Sequence, residues 1–91
     1  MKKAILIFMF TLSILNASTC STAQSQAEYY SDEAMKYNMN TKSNACKMAD
    51  NLEQVVNWMG TMKQNSCSGY TNFAFNNYIG ILRVAVSKCG Y

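Results

Sequence analysis

The 91-residue sequence has no histidine and no proline, and it has only four glycines. Without histidine, the chain lacks the side chain that most often acts as a general acid or base near neutral pH. Because proline and glycine are the strongest helix breakers, their scarcity lets long segments continue as uninterrupted helices. These shortages favour a helical protein that is not an enzyme.

The four cysteines, Cys20, Cys46, Cys67 and Cys89, form no C-x-x-C pair. Pairs of that kind are typical of four-cysteine zinc sites and thioredoxin-type redox sites and, when histidine follows, of covalent haem attachment. Methionine thioethers bind Cu(I), but without histidine to complete such a site the methionines are better explained as core residues. We therefore expect no metal site and no cofactor.

A removable export signal is predicted at the start of the chain. Lys2 and Lys3 precede an uncharged apolar run over residues 4–15, and small and polar residues follow. This order of basic, apolar and polar regions is typical of a secretory signal peptide. The run is shorter than the roughly 20 apolar residues that cross a bilayer as a helix. We expect residues up to Ala17 to be the signal peptide, with cleavage after Ala23 as the alternative.

The expected mature domain covers residues 18–91 and keeps all four cysteines, whereas cleavage after Ala23 would remove Cys20. Loss of the two signal lysines leaves six basic against five acidic residues, so the net charge falls from +3 to +1. So small a charge creates no strong field for nucleic acid or anionic lipid. Membrane association is expected only if Cys20 is lipidated.

Three helical segments are predicted, over about residues 25–40, 43–64 and 70–89. The first is expected to start at Ser25, because its spacing to Glu28 matches a capping box. The second has the clearest apolar face, with a period of 3.6 residues. That face consists of Ala45, Met48, Ala49, Leu52, Val55, Val56, Met59 and Met62. The expected fold is all-α, a small up-down-up bundle of three helices stapled by disulfides.

The spacing of the cysteines predicts how they pair. In an antiparallel hairpin of the second and third segments that turns near Cys67, facing residues have numbers that sum to about 135. Cys46 and Cys89 satisfy this sum, and the same register also brings the two apolar faces together. The first segment, antiparallel to the second, brings Cys20 to the turn. We therefore predict the disulfides Cys46–Cys89 and Cys20–Cys67, a pattern typical of small exported domains.

Some residues outside the clearest core positions are candidates for binding a partner protein. Trp58 projects from the polar side of the second segment, and Phe73 and Val84 lie at the margin of the third segment's core face. Asn76 and Arg83 run beside them. Tryptophan, tyrosine and arginine dominate interface energetics. The favoured alternative for Phe73 and Val84 is burial beneath the first helix, because each helix of a three-helix bundle needs two contact strips.

The run Cys67-Ser68-Gly69-Tyr70 resembles the C-x-G-Y start of a helix in small periplasmic immunity proteins that neutralise type VI secretion amidase effectors. Those proteins are also exported, mostly helical and cysteine-bonded. The sequence departs from their pattern at Phe73, where the family has glycine. The resemblance implies a function in binding rather than in catalysis.

The sequence thus predicts an exported helical protein, periplasmic or secreted, that binds another protein and acts as an inhibitor or immunity factor. The candidate partner-binding residues are Trp58, Arg83, Phe73 and Asn76. The alternative is a structural or accessory envelope lipoprotein without catalytic activity, anchored through lipid on Cys20. Neither interpretation requires a nucleic acid partner.

Overall fold

The computed structural model contains three α-helices in an up-down-up arrangement. It describes residues 2–90, and of these it describes the side chains of residues 19–90. The helices are α1 (Lys2–Met35), α2 (Lys42–Gln64) and α3 (Asn72–Cys89). No strand occurs in the described residues, and the predicted three-helix fold is confirmed. The predicted signal peptide, residues 1–17, lies outside the residues whose side chains are described.

The central helix α2 lies where the sequence predicts it. At its N-terminus, the side-chain oxygen of Thr41 accepts a hydrogen bond from the backbone N–H of Asn44. This cap satisfies one of the N–H groups that have no partner inside the helix. At its C-terminus, the N–H of Asn65 donates to the carbonyl of Thr61. The predicted apolar face is buried along its length, except at Val56, which is half-buried.

Helices α1 and α3 both pack against α2, and their own backbones do not come close to each other. Among the described residues, no Cα atom of α1 comes within 8 Å of a Cα atom of α3. One buried cluster joins α1 to the C-terminal half of α2 and the turn that follows it; it contains Ala23, Ala27, Val55, Met59, Met62 and Cys67. A second cluster joins all three helices; it contains Ala34, Met48, Ala49, Leu52 and Ala85. Burial of these apolar groups is the main force that holds the helices together.

Two disulfides link the helices at opposite ends of the bundle. Cys20–Cys67 joins α1 to the turn between α2 and α3, and Cys46–Cys89 joins the first turns of α2 to the last residue of α3. Both predicted pairings are confirmed. Disulfides of this kind persist in oxidising compartments and are rare in the cytosol.

Helix α1 differs from the prediction at both ends. It is continuous through Ser25, so the predicted capping box between Ser25 and Glu28 is wrong. It also ends at Met35, several residues before the predicted end near Asn40. The side chain of Asn38 accepts a hydrogen bond from the N–H of Asn40, which is the local turn that asparagine favours over a further helical turn.

Helix α3 begins two residues later than predicted. Thr71 is the N-cap of the helix, because its side-chain oxygen accepts a hydrogen bond from the backbone N–H of Ala74. The helix ends at Cys89 and is capped by Gly90, which adopts a left-handed backbone conformation with φ of 85°. Glycine is favoured there because other residues rarely adopt this conformation.

Candidate functional site

A groove of about 400 Å³ lies between α1 and α3, with α2 as its floor. Its lining residues come from α1, from α2, from Gly69 in the turn after α2 and from Tyr78 of α3, and among the described residues the Cα atoms of α1 and α3 stay more than 8 Å apart. A volume of this size is typical of clefts that bind ligands. We call this feature the interhelical groove.

The α1 wall of the interhelical groove is polar. Gln24, Glu28 and Ser31 follow one another at intervals of four and three residues, which places them on one flank of the helix. Asp32 lies beside them and also lines the groove. Glu28 and Asp32 are exposed and form no salt bridge with any described residue. The wall therefore presents two carboxylates to the opening.

The floor of the interhelical groove is apolar. It is formed by Val55, Met59 and Met62 of α2, with Ala27 of α1 at its edge. All four residues belong to the buried cluster near the Cys20–Cys67 disulfide. Methionine side chains are flexible and polarizable, so a floor of this kind adapts to ligands of different shape. Deep in the groove, contacts would be apolar.

Tyr78 of α3 forms the boundary of the interhelical groove. Its hydroxyl lies 2.8 Å from the hydroxyl of Ser31, a hydrogen bond that links α1 to α3. Tyr78 also lines a second, smaller pocket of about 260 Å³, whose apolar lining residues include Met35, Phe73 and Ile81. We call this second feature the Phe73 pocket. The two pockets share Tyr78 and differ in chemistry, because only the first has carboxylates in its wall.

The structure leaves Phe73 and Val84 uncovered. Phe73 is 81% exposed and Val84 is 46% exposed, so the prediction that the first helix buries them is wrong. Among the described residues, no Cα atom of α1 lies within 8 Å of a Cα atom of α3, so α1 does not cover these two side chains. Met35, at the end of α1, is 55% exposed and lines the same pocket as Phe73.

The four predicted partner-binding residues differ in their exposure. Phe73, Asn76 and Arg83 are all exposed on α3. Trp58, in contrast, is half-buried on α2, where it packs against the cluster that contains Ala23. The three α3 residues remain candidates for binding, whereas substitution of Trp58 would also remove packing.

Sequence reasoning missed the residues that form the walls of the groove. Glu28 was assigned only to the predicted capping box, and neither Asp32 nor Met35 was proposed as a binding residue. One feature of the sequence could have identified this wall. Gln24, Glu28, Ser31 and Met35 recur at helical spacing, which places them on one flank of α1. That spacing shows which residues share a flank, but not which neighbouring helix they face.

Within the described part of the chain, no group of three or more His, Cys, Asp or Glu residues is placed to hold a metal ion.

On α1, the ammonium group of Lys36 donates a hydrogen bond to the carboxylate of Glu33 at 2.8 Å. That hydrogen bond, together with the negative charge of Glu33, raises the pKa of Lys36 above its ordinary value. No helix in the described residues combines the length and apolarity needed to cross a bilayer.

No family model, no curated protein and no solved structure matches this chain. The resemblance of Cys67-Ser68-Gly69-Tyr70 to immunity proteins therefore stays a prediction from those four residues. The interhelical groove and the exposed face of α3 beside it are the features from which we infer a function.

Proposed function

We propose that this chain is an exported, disulfide-bonded domain that binds another protein through the interhelical groove and the adjoining Phe73 pocket. The single observation that carries the proposal is the exposure of Phe73, a large aromatic side chain that is 81% accessible beside an apolar pocket. A partner that covers a phenylalanine side chain gains about 2 kcal/mol from burial of its apolar surface. An inhibitor or immunity factor would act by such coverage of its partner.

The disulfides support the export part of the proposal. The bond between Cys20 and Cys67 supports cleavage after Ala17, which retains Cys20 in the mature protein. Cleavage after Ala23 would remove Cys20 together with a disulfide that fixes α1. An oxidising compartment, periplasmic or extracellular, is where two such bonds persist.

The Cys20–Cys67 bond also bears on the alternative of a lipid-anchored envelope protein. A lipoprotein carries its lipid on the sulfur of the cysteine, and the same sulfur cannot form a disulfide at the same time. The bond between Cys20 and Cys67 therefore favours a free domain over a lipid-anchored one.

Phe73→Ala should weaken the complex with the partner by about tenfold or more, because truncation of a central aromatic anchor removes one to two kcal/mol or more of binding free energy. Its thermal unfolding should be unchanged, since the side chain has few contacts inside the protein. The partner would first be captured from the cell envelope and medium with the tagged exported protein. Its affinity for each purified variant would then be measured by calorimetry.

Tyr29→Ala is the matched control for Phe73→Ala. Tyr29 is an aromatic residue that is 56% exposed, but it lines neither the interhelical groove nor the Phe73 pocket. We expect this variant to bind like the wild type. The proposed binding surface would be contradicted if Phe73→Ala and Tyr29→Ala bound the partner with the same affinity, whether both matched the wild type or both were weaker. Arg83→Ala then tests how far the surface extends along α3.

A further inference from the structure

The interhelical groove carries charge of one sign. Glu28 and Asp32 lie one turn apart on its α1 wall, and none of the described residues that line it is a lysine or arginine. The next basic residue along α1, Lys36, is paired with Glu33. An anionic ligand would therefore be repelled from the opening, whereas a cationic group would find two carboxylates without a salt-bridge partner among the described residues.

The depth of the groove restricts the ligand further. Beside the carboxylates, the lining includes Val55, Met59 and Met62, which are almost fully buried, so small apolar patches of their side chains face the groove. A small inorganic cation would leave this apolar floor uncovered, and a wholly apolar ligand would desolvate the carboxylates without pairing them. A lysine or arginine side chain meets both conditions, because its aliphatic stem packs on apolar surface while its charged end stays near water.

The Phe73 pocket adds a second requirement. It adjoins the interhelical groove at Tyr78, and among its lining residues Met35, Phe73, Ala74 and Ile81 are apolar. A ligand that occupies both features therefore has an apolar group beside its cationic one. A protein segment with alternating basic and apolar side chains provides both within a few residues, as helices do that bind in grooves.

We propose that the interhelical groove takes a lysine or arginine side chain from a basic amphipathic segment of the partner protein. The aliphatic stem lies on Met59 and Met62, and the cationic end lies at the carboxylates of Glu28 and Asp32. A neighbouring apolar side chain of the same segment enters the Phe73 pocket. This inference rests on the proposed function, because it names the chemistry of the partner at the same surface.

The test uses the exported protein with both disulfides intact and a short amphipathic peptide of leucine and lysine as the probe. A second peptide with glutamate in place of every lysine serves as the charge-reversed probe. Calorimetry at low salt measures affinity, and methyl NMR of the methionines shows where the peptide binds. We expect the Met59 and Met62 methyl signals to move and the signal of Met48, in the other buried cluster, to stay in place.

Glu28→Gln combined with Asp32→Asn should weaken binding of the lysine peptide about fivefold, as expected for the loss of two exposed ion pairs. The matched control is Asp50→Asn combined with Glu53→Gln, which removes the same charge from two exposed residues of α2 that do not line the groove. This control should change the affinity by less than about twofold. The glutamate peptide should not bind measurably.

Three results would overturn the inference: wild-type affinity in the Glu28/Asp32 variant, an equal loss in the Asp50/Glu53 control, or binding of the glutamate peptide as tightly as the lysine peptide. If Phe73→Ala nevertheless loses the natural partner, the proposed function stands and only the cationic chemistry is wrong. If the lysine peptide binds in the groove but no protein partner depends on Phe73, the proposed function fails, and the assignment to a partner protein fails with it.

Discussion

Replacement of Cys46 and Cys89 together by alanine should lower the free energy of unfolding by about 4 kcal/mol. The bond joins residues 43 positions apart, and its removal restores the conformational freedom of that loop to the unfolded chain. A loss of this size is comparable to the whole net stability expected for a domain of about 70 residues. Denaturant unfolding followed by circular dichroism would measure it.

The double substitution is needed because a single one leaves a free thiol that can form other bonds. Replacement of Cys20 and Cys67 together by alanine should lower the free energy of unfolding by a similar amount. These two cysteines are 47 residues apart, and loop entropy changes slowly with loop length. The reduced wild type should be less stable than either double variant. A loss below about 1 kcal/mol for both pairs would contradict the view that the disulfides supply the missing stability.

Leu52→Ala should destabilise the fold by about 3 kcal/mol, within the usual range for truncation of a buried leucine. Leu52 is fully buried and belongs to the cluster that joins Ala34 of α1, Ala85 of α3 and the centre of α2. The cavity left by the substitution would therefore weaken contacts to both outer helices. Thermal and denaturant unfolding of the disulfide-bonded protein would measure the loss.

Val56→Ala is the control for Leu52→Ala. Val56 lies one turn further along the same helix and is only half-buried, so its truncation should cost about 1 kcal/mol. Helix propensity changes little for Leu52→Ala, whereas Val56→Ala gains about half a kcal/mol of helix propensity, which further separates the two variants. If the two variants lost equal stability, Leu52 would not occupy the centre of the core.

The two disulfides also bear on the binding surface. Cys20–Cys67 fixes α1 against the turn that follows α2, and Cys46–Cys89 fixes α3 against the start of α2. Because α1 and α3 do not pack together along their backbones, the width of the interhelical groove depends on how each is held to α2. A protein whose groove is already fixed in shape before binding loses less conformational entropy when the partner docks.

Most of the fold follows from the sequence. The apolar face of α2 from Ala45 to Met62 is long and strongly periodic, so its register and its burial are predictable. Agreement between that face and the positions of Cys46 and Cys89 then fixes the hairpin with α3. The predicted start of α1 was wrong because the spacing of Ser25 and Glu28 matches a capping box even inside a continuous helix. This short sequence pattern does not distinguish the start of a helix from its interior.

The binding surface follows from the sequence only in part. Phe73, Asn76 and Arg83 were identified as residues outside the clearest core positions, and they are exposed. The interhelical groove was missed because it depends on the angle at which α1 and α3 lie on α2, and tertiary packing sets that angle. Spacing along one helix places Glu28 on a flank, but it does not show that the flank borders an open groove.

The most direct test of this account is peptide mapping of the exported protein, digested without reductant and with free thiols blocked. The account predicts an unlipidated chain that begins at Ser18, with one fragment pair linked through Cys20 and Cys67 and another through Cys46 and Cys89. A link between Cys46 and Cys67, four free thiols in the native protein, or lipid on Cys20 would contradict it. Any of these results would also remove the constraint that positions α1 and α3 around the interhelical groove.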